Sequence, residues 1–394
     1  MLRKLSTSRA SITAAHATLR PTSARQGSDV AVVGAGIVGL STAYSLLERG
    51  ASVTVYERGV PGNGQSGGES RIFRHAHDDA RLVEFACRSR AIWRQWGDRL
   101  GVELVSRDGV VALGPPVERR LPVLDQVGGV PVRRIDAAEV SGYLALLAPY
   151  SGPAMFDEGG GSIRTSVAIE ALTGQLGDSL VADEVISIRS AGRDGVEVRA
   201  GGACTRHAAV VVCAGRGTAQ LARGVGLSLP VNLSAHVRLT FALRDGDPPP
   251  RLACLQDGSG HFGEVGIYAA PLPGNRHYAL GLSQTIDVHE DGSIVDPAGL
   301  GALSERTRAY VARALPRLAP EPVDYRHCWV TELPWSADGF AVWEVDGAFF
   351  VAGHNLFKQA PALGRAVALA ALGEGLPPEL RPEAKLGEPG PRNA

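Results

Sequence analysis

An α/β fold is predicted for this 394-residue chain by three features. A short apolar run from Asp29 to Val33 leads directly into Gly34-Ala35-Gly36-Ile37-Val38-Gly39. A helical stretch follows from Ile37 to Arg49, and a second β-rich run, Ser52 to Tyr56, ends beside Glu57. This strand–helix–strand order is a Rossmann-type nucleotide-binding unit. Third, residues 231–290 are again strand-rich, which adds a second domain on a mixed, largely antiparallel β-sheet.

The elements follow in order. Gly50 stops the first helix. Val60 to Gly68 is Gly-rich and reads as a loop, and Ala80 to Leu100 as a helix with Leu82, Phe85, Ile92 and Trp96 on its apolar face. Residues 101–160 read as short strands between Gly and Pro turns. A helix is expected from Thr165 to Leu176, strands at Val181–Ile188, Val196–Arg199 and Ala209–Cys213, and a helix from Leu303 to Leu315. Phe349–Ala352 reads as a strand, and Pro361–Leu372 as the last helix. The organisation expected is a disordered extension over 1–28 and a discontinuous nucleotide-binding domain over 29–75, 160–230 and 325–376. A substrate domain would take 76–159 and 231–324, and a flexible Pro- and charge-rich tail 377–394.

Composition narrows the function. The chain is 44% hydrophobic and 21% charged with a net charge of −1, as in an ordinary globular protein. The first 28 residues hold Arg3, Lys4, Arg9, Arg20 and Arg25 and no acid, so the body is mildly acidic and offers no electrostatic footprint for nucleic acid. That segment has the composition of a mitochondrial transit peptide, and equally of a disordered extension. No 18-residue apolar stretch occurs, so no membrane span is expected. Cys87, Cys204, Cys213, Cys254 and Cys328 are odd in number and widely spaced, which suggests neither disulfides nor a metal site and fits a cytoplasmic setting. The basic residues are almost all Arg, as in a GC-rich bacterial gene; Lys358 stands alone between Lys4 and Lys385.

The glycine motif carries chemistry. Gly34 permits a tight turn, Gly36 lets the backbone approach a pyrophosphate, and Gly39 allows close helix–strand packing. The helix N-terminus offers free N–H groups to phosphate. Glu57 is placed to accept from a ribose diol, which argues against NADP. The run Ala208 to Gly215 (AAVVVCAG) resembles the second signature of flavoproteins, and together with the first motif it turns the reading from NAD to FAD.

Three segments extend this likeness: Asp29 to Gly59, Gly68 to His77 (GESRIFRHAH) and Arg326 to Gly364. On them the chain resembles the D-amino-acid oxidase superfamily of flavoproteins, within it the monomeric sarcosine oxidase and N-methyl-amino-acid oxidase branch, from about Asp29 to Leu372. The resemblance implies FAD contacts through Gly34, Gly36, Ile37, Val38, Gly39, Glu57, Arg58, Arg71, Gly215, Gly353, Asn355 and Lys358. On its own Cys328 reads as a small buried hydrophobe; the resemblance makes it the residue that bonds the flavin 8α-methyl through sulfur. Arg71 would lie beside the flavin ring. Arg74 would bind the substrate carboxylate, with Lys358 as the second cation, and a helix would begin after Lys358. His354 reads as structural. The implied reaction is oxidation of the C–N bond of an amino-acid-like amine (primary, secondary or cyclic) by hydride transfer to flavin N5. Oxygen or another acceptor would take the electrons.

The chain also departs from the branch. Ala279 falls where the branch has an oxygen-activating lysine, Ser283 where it has a histidine and Val330 where it has a tyrosine. Sarcosine itself is therefore not the expected substrate. Of Trp329, Trp335 and Trp343, two are expected in the core. A flavin monooxygenase or other FAD oxidoreductase on the same fold, or a flavin-binding accessory protein without turnover, are the alternatives. Oligomeric state is not legible.

Overall fold

The structure, a computed structural model, describes residues 30–244 and 246–389. The expected extension over 1–28 lies outside the described residues, as do the last five residues of the expected tail.

Two sheets dominate. The first runs in the order Phe340–Val345, Ala348–Gly353, Ala209–Val212, Val30–Val33, Val53–Glu57, Leu180–Ala182. Its strands are parallel except for Phe340–Val345, which forms an antiparallel hairpin with Ala348–Gly353. Val30–Val33 and Ala209–Val212 are buried throughout, because the sheet is covered on both faces. One cover is the helix pair Ile37–Leu47 and Leu356–Leu369. These helices touch backbone to backbone at Gly364, where a Cβ would lie 2.6 Å from the Ser41 carbonyl carbon. The other face carries an antiparallel meander of Val185–Ser190, Val196–Ala200 and Ala203–His207.

The second sheet has nine strands. Asn232–Leu243 lies between His277–Leu282 and, on its other side, Ile286–Asp287 and Leu318–Glu332. Beyond His277–Leu282 come Ile267–Pro271, Cys254–Asp257, Val110–Leu113, Ala154–Asp157 and Val132–Ile135. Every pairing is antiparallel except Cys254–Asp257 with Val110–Leu113. Helix Pro297–Ala314 packs on it through Leu300, Leu303, Tyr310 and Val311. A two-stranded ladder, Ser70–Phe73 with Gly161–Arg164, stands outside both sheets. No helix among the described residues is long and apolar enough to cross a membrane.

Four expectations are corrected. Residues 101–160 contain helices Pro116–Val127 and Ala137–Tyr143 as well as strands. The second carries a capping box, Asp136 with Glu139, and the first starts on proline, so both had local start signals. The last helix begins at Leu356, so Lys358 lies inside it and not before it. Pro361 offers no N–H to the Phe357 carbonyl, and next to it Ser89 Oγ (2.7 Å) and Trp93 Nε1 (3.2 Å) donate to the Lys358 carbonyl, pinning this turn to helix Ala80–Leu100. Residues 325–332 pair with Asn232–Leu243 and so belong to the second sheet. The chain end is packed: Leu376, Leu380 and Leu386 enter the core of the first layer. Gly387 N donates to Asp79 Oδ2 at 2.8 Å, and Trp335 Nε1 to the Leu386 carbonyl at 3.2 Å. Prolines and charges mask these apolar anchors in the composition of the tail.

Leu386→Ala should therefore destabilise the protein by about 2–4 kcal/mol, as for a buried leucine and not an exposed tail. Chemical denaturation checks this; an unchanged midpoint would refute the packing.

Candidate active site

A cleft of about 940 Å³ runs between the C-terminal ends of the first sheet's strands and one face of the second. The glycine turn closes one end. Gly34 has φ +97° and its Cβ would lie 2.6 Å from the Cys213 carbonyl oxygen, so only glycine fits there. Gly36, Ile37 and Val38 line the cleft. Gly39 does not; a Cβ there would lie 1.9 Å from the Gly34 oxygen, so it serves the close packing expected of it. Glu57 ends its strand on the cleft wall and accepts from Ala35 N and Gly59 N, each at 2.8 Å. Arg58 also lines the cleft but is exposed and pairs with Glu184. Gly215, Gly353 and Asn355 line it too. Asn355, at φ +55°, is the left-handed N-cap of the last helix. Gln65 Nε2 donates to the Trp329 carbonyl and Thr331 Oγ1, both at 3.1 Å, tying the Gly-rich loop to the second sheet.

At the far end the structure brings Arg74 and Lys358 together on a carboxylate to which the sequence reading gave no role. Asp338 Oδ2 accepts from Arg74 Nη2 at 2.5 Å; its Oδ1 accepts from Asn355 Nδ2 at 2.7 Å and Lys358 Nζ at 3.4 Å. His77 Nδ1 lies 3.3 Å away but is not aligned for a hydrogen bond. Burial alone would push the Asp338 carboxyl up. Arg74 and Lys358 outweigh that and hold it well below the usual range. Burial pulls the Lys358 ammonium down to about 8 against the opposing pull of Asp338. Burial, then Arg74, keeps His77 neutral. The second guanidinium arm of Arg74 donates to the Ala76 carbonyl.

Arg71 and Cys328 are also brought together: Arg71 Nη2 lies 3.9 Å from Cys328 Sγ and donates to the Gly67 carbonyl at 2.5 Å. Cys328 faces the cleft from Leu318–Glu332, opposite His236 in the neighbouring strand. His354 lines the cleft, and burial pulls it down to about 4. Ala279 is buried outside the main cleft, with its carbonyl 3.5 Å from Arg238 Nη2. Ser283 reaches the cleft, but its hydroxyl donates to the Gly266 carbonyl at 2.7 Å, and Val330 is buried away from it. Trp329 lines the cleft under Arg216, 4.8 Å from its ring, while Trp335 and Trp343 pack in the core. The sequence reading missed Asp338, His77, Arg238, Tyr268 and Arg120, which all lie in or at this site. Arg238, the one arginine in strand Asn232–Leu243, flanked by Val237 and Leu239, was the legible signal.

The sequence profile of the FAD dependent oxidoreductase family matches residues 29–370. The chain belongs to that family. It is 26% identical over 367 residues to glycine oxidase of Geobacillus kaustophilus, covering 86% of this chain and 92% of the relative. A Dictyostelium discoideum protein named as a bifunctional amine oxidase is 34% identical over 91 residues, which span 22% of this chain and only 8% of that much longer protein. Among solved structures, the open form of NikD, described as an unusual amino acid oxidase essential for nikkomycin biosynthesis, superposes with a TM-score of 0.76. It is 19% identical, over 89% of this chain and 95% of NikD, and shows the shared fold.

The site's residues fit FAD. The Gly34 turn can hold no side chain, the helix N-terminus opens onto the cleft at Gly36–Val38, and the cleft continues past Glu57 and Cys328 to the charged cluster.

The Lys358 ammonium near 8 has a consequence with a definite sign. A carboxylate ligand lacking an amine should bind well below pH 8 and lose affinity as pH rises through it, because the cation deprotonates. Ligand titration from pH 6 to 10 checks this; in Lys358→Met that limb should vanish.

Proposed function

We propose that this oxidoreductase oxidises the C–N bond of an amino-acid-like amine, primary, secondary or cyclic, to an imine. The Arg74–Asp338–Lys358 cluster in the cleft, with both cations buried, carries this reading. Two cations share one carboxylate there, so one positive charge is left over, which matches a single substrate carboxylate. Arg74 and Lys358 would grip that group, and Asp338 would fix both cations in place. Burial of the cluster excludes water and strengthens the grip. The grip orients the substrate carbon along the cleft, and orientation is the large contribution in such a reaction. The amine would react as the free base, and carbon–nitrogen double-bond formation releases two electrons and two protons overall. Bound FAD supplies the two-electron acceptor. Gly34, Gly36, Ile37, Val38 and Glu57 would hold its nucleotide end, with Arg58 at the rim, and Arg71, Gly215, Gly353, Asn355 and Lys358 would border the rest.

The glycine oxidase and amine oxidase names of the relatives support the substrate class. Cys328 stands free on the cleft wall, which supports a covalent thioether to the flavin. Oxygen or another acceptor would complete turnover.

The decisive experiment is anaerobic bleaching of the flavin by a panel of amino and imino acids without NAD(P)H; a flavin that no amine bleaches overturns the reading. Arg74→Ala should cost carboxylate substrates about 1.5–3 kcal/mol, on the scale of a charged hydrogen bond, and spare the matching uncharged amines. Acid-precipitated wild-type protein should give a yellow pellet and Cys328→Ser a white one; complete flavin release from the wild type would rule out the thioether.

A further inference from the structure

Beside the Arg74–Lys358 grip the cleft continues into the second sheet. Strands Val110–Leu113 and Cys254–Asp257 stop side by side there, and helix Pro116–Val127 begins. Leu113, Pro116, Arg120 and Gly258 line this part. Arg120, in the second turn of the helix, is its cation, with a side chain 14% exposed. Among the described residues its one hydrogen bond runs from Nη2 to Asp78 Oδ2 at 3.3 Å. Its Nε is sealed in the protein without a partner, so Nη1 is the arm left open.

Asp78 does not neutralise Arg120 alone. Arg119 Nε also lies 3.7 Å from Asp78 Oδ1, so two guanidinium groups share one carboxylate and one positive charge is left over. Arg119 is 59% exposed, and water screens it; Arg120 has no such screening. Asp257, the acid at the end of the neighbouring strand, is already taken. It accepts from Ser259 N and Oγ and from Tyr310 Oη. After burial, which lowers it, Arg120 feels Arg74, Asp78 and Asp338 most strongly, and this puts it beside the substrate grip. A guanidinium stays protonated under that pressure. The cleft therefore holds one surplus charge at Arg74–Lys358–Asp338 and a second at Arg120.

We propose that Arg120 is a specificity-determining residue that receives a second carboxylate, at the end of the substrate's side chain, so that the preferred substrates are dicarboxylic amino acids. The reading rests on the amine oxidation proposed above and names the substrate class for it. Ala112, Leu113 and Pro116 supply apolar wall around Arg120. A side chain ending in a methyl group would cover the open arm and leave it without a partner, which is costly. A carboxylate there gains a charge-assisted hydrogen bond and cancels the surplus charge. The α-carboxylate is then held by Arg74 and Lys358 and the distal one by Arg120, which fixes the substrate at both ends.

The probes are glutarate against pentanoate and succinate against butyrate, because each pair exchanges one carboxylate for a methyl group. Each acid is titrated into the oxidised holoenzyme at constant ionic strength, and the flavin's visible spectrum is followed. At least one diacid should bind at least about tenfold more tightly than its monoacid. In Arg120→Met the diacid should fall to the affinity of the monoacid, and Arg120→Lys should keep part of the preference. Arg74→Ala should weaken both members of a pair. Equal affinities within both wild-type pairs overturn the proposal, and that comparison stands even if Arg120→Met does not fold. A preference unmoved in Arg120→Met overturns it as well. These titrations involve no turnover, so a flavin that no amine bleaches would remove amine oxidation and leave the diacid site standing. Conversely, asparagine or glutamine bleaching the flavin as fast as aspartate and glutamate would remove the dicarboxylate preference and leave amine oxidation standing.

Discussion

One half-buried carboxylate organises the working end of this protein. Asp338 accepts from Arg74, Asn355 and Lys358, and so joins a strand exit near residue 74, the turn before Phe340 and the first turn of the last helix. Two cations buried as deeply as Arg74 and Lys358 are tolerable because Asp338 sits between them. The cluster therefore holds these segments in one arrangement. It also sets the protonation states around it, with the carboxyl kept charged, His77 neutral and the Lys358 ammonium poised near neutrality.

The rest of the cleft complements this end with backbone. At the nucleotide end the governing constraint is steric: Gly34 and Gly39 stand where a single methyl group would collide with main-chain oxygens. The two ends are linked by Gln65, which reaches from the Gly-rich loop to strand Leu318–Glu332 of the second sheet. Between them lies the Arg71–Arg238 pair, where charge is buried without an acid. At the other end Arg74 and Lys358 share Asp338, so one positive charge remains there as well.

Much of this was legible in the amino-acid order. The strand–Gly34-to-Gly39–helix unit is a local pattern whose period and glycines have one physical explanation, and it folds as read. Arg71, Arg74, Cys328 and Lys358 were named and do line one cleft. Asp338 was not given a role because a single acid beside a glycine looks like a turn residue; its importance depends on partners 264 and 20 positions away. Helix Pro116–Val127 was hidden by Pro122 in its middle, which argues against a helix until tertiary packing overrides it. Strand Leu318–Glu332 was split between domains because the likeness to a family tracks motifs and not sheet membership.

The order of strands in the first sheet bears on how the protein is made. Val30–Val33, near the start of the chain, is flanked by Val53–Glu57 and Ala209–Val212, and the latter is flanked by Ala348–Gly353. The helix that covers Val30–Val33 and the leucines that seal the layer come from still later, up to Leu386. A ribosome delivers these pieces in sequence, so strand Val30–Val33 waits, half-paired and apolar, until the segments around residues 209, 348 and 356–386 have emerged. Completion of the nucleotide layer thus waits for residues as late as Leu386, and until they emerge the nascent chain carries these apolar strands uncovered.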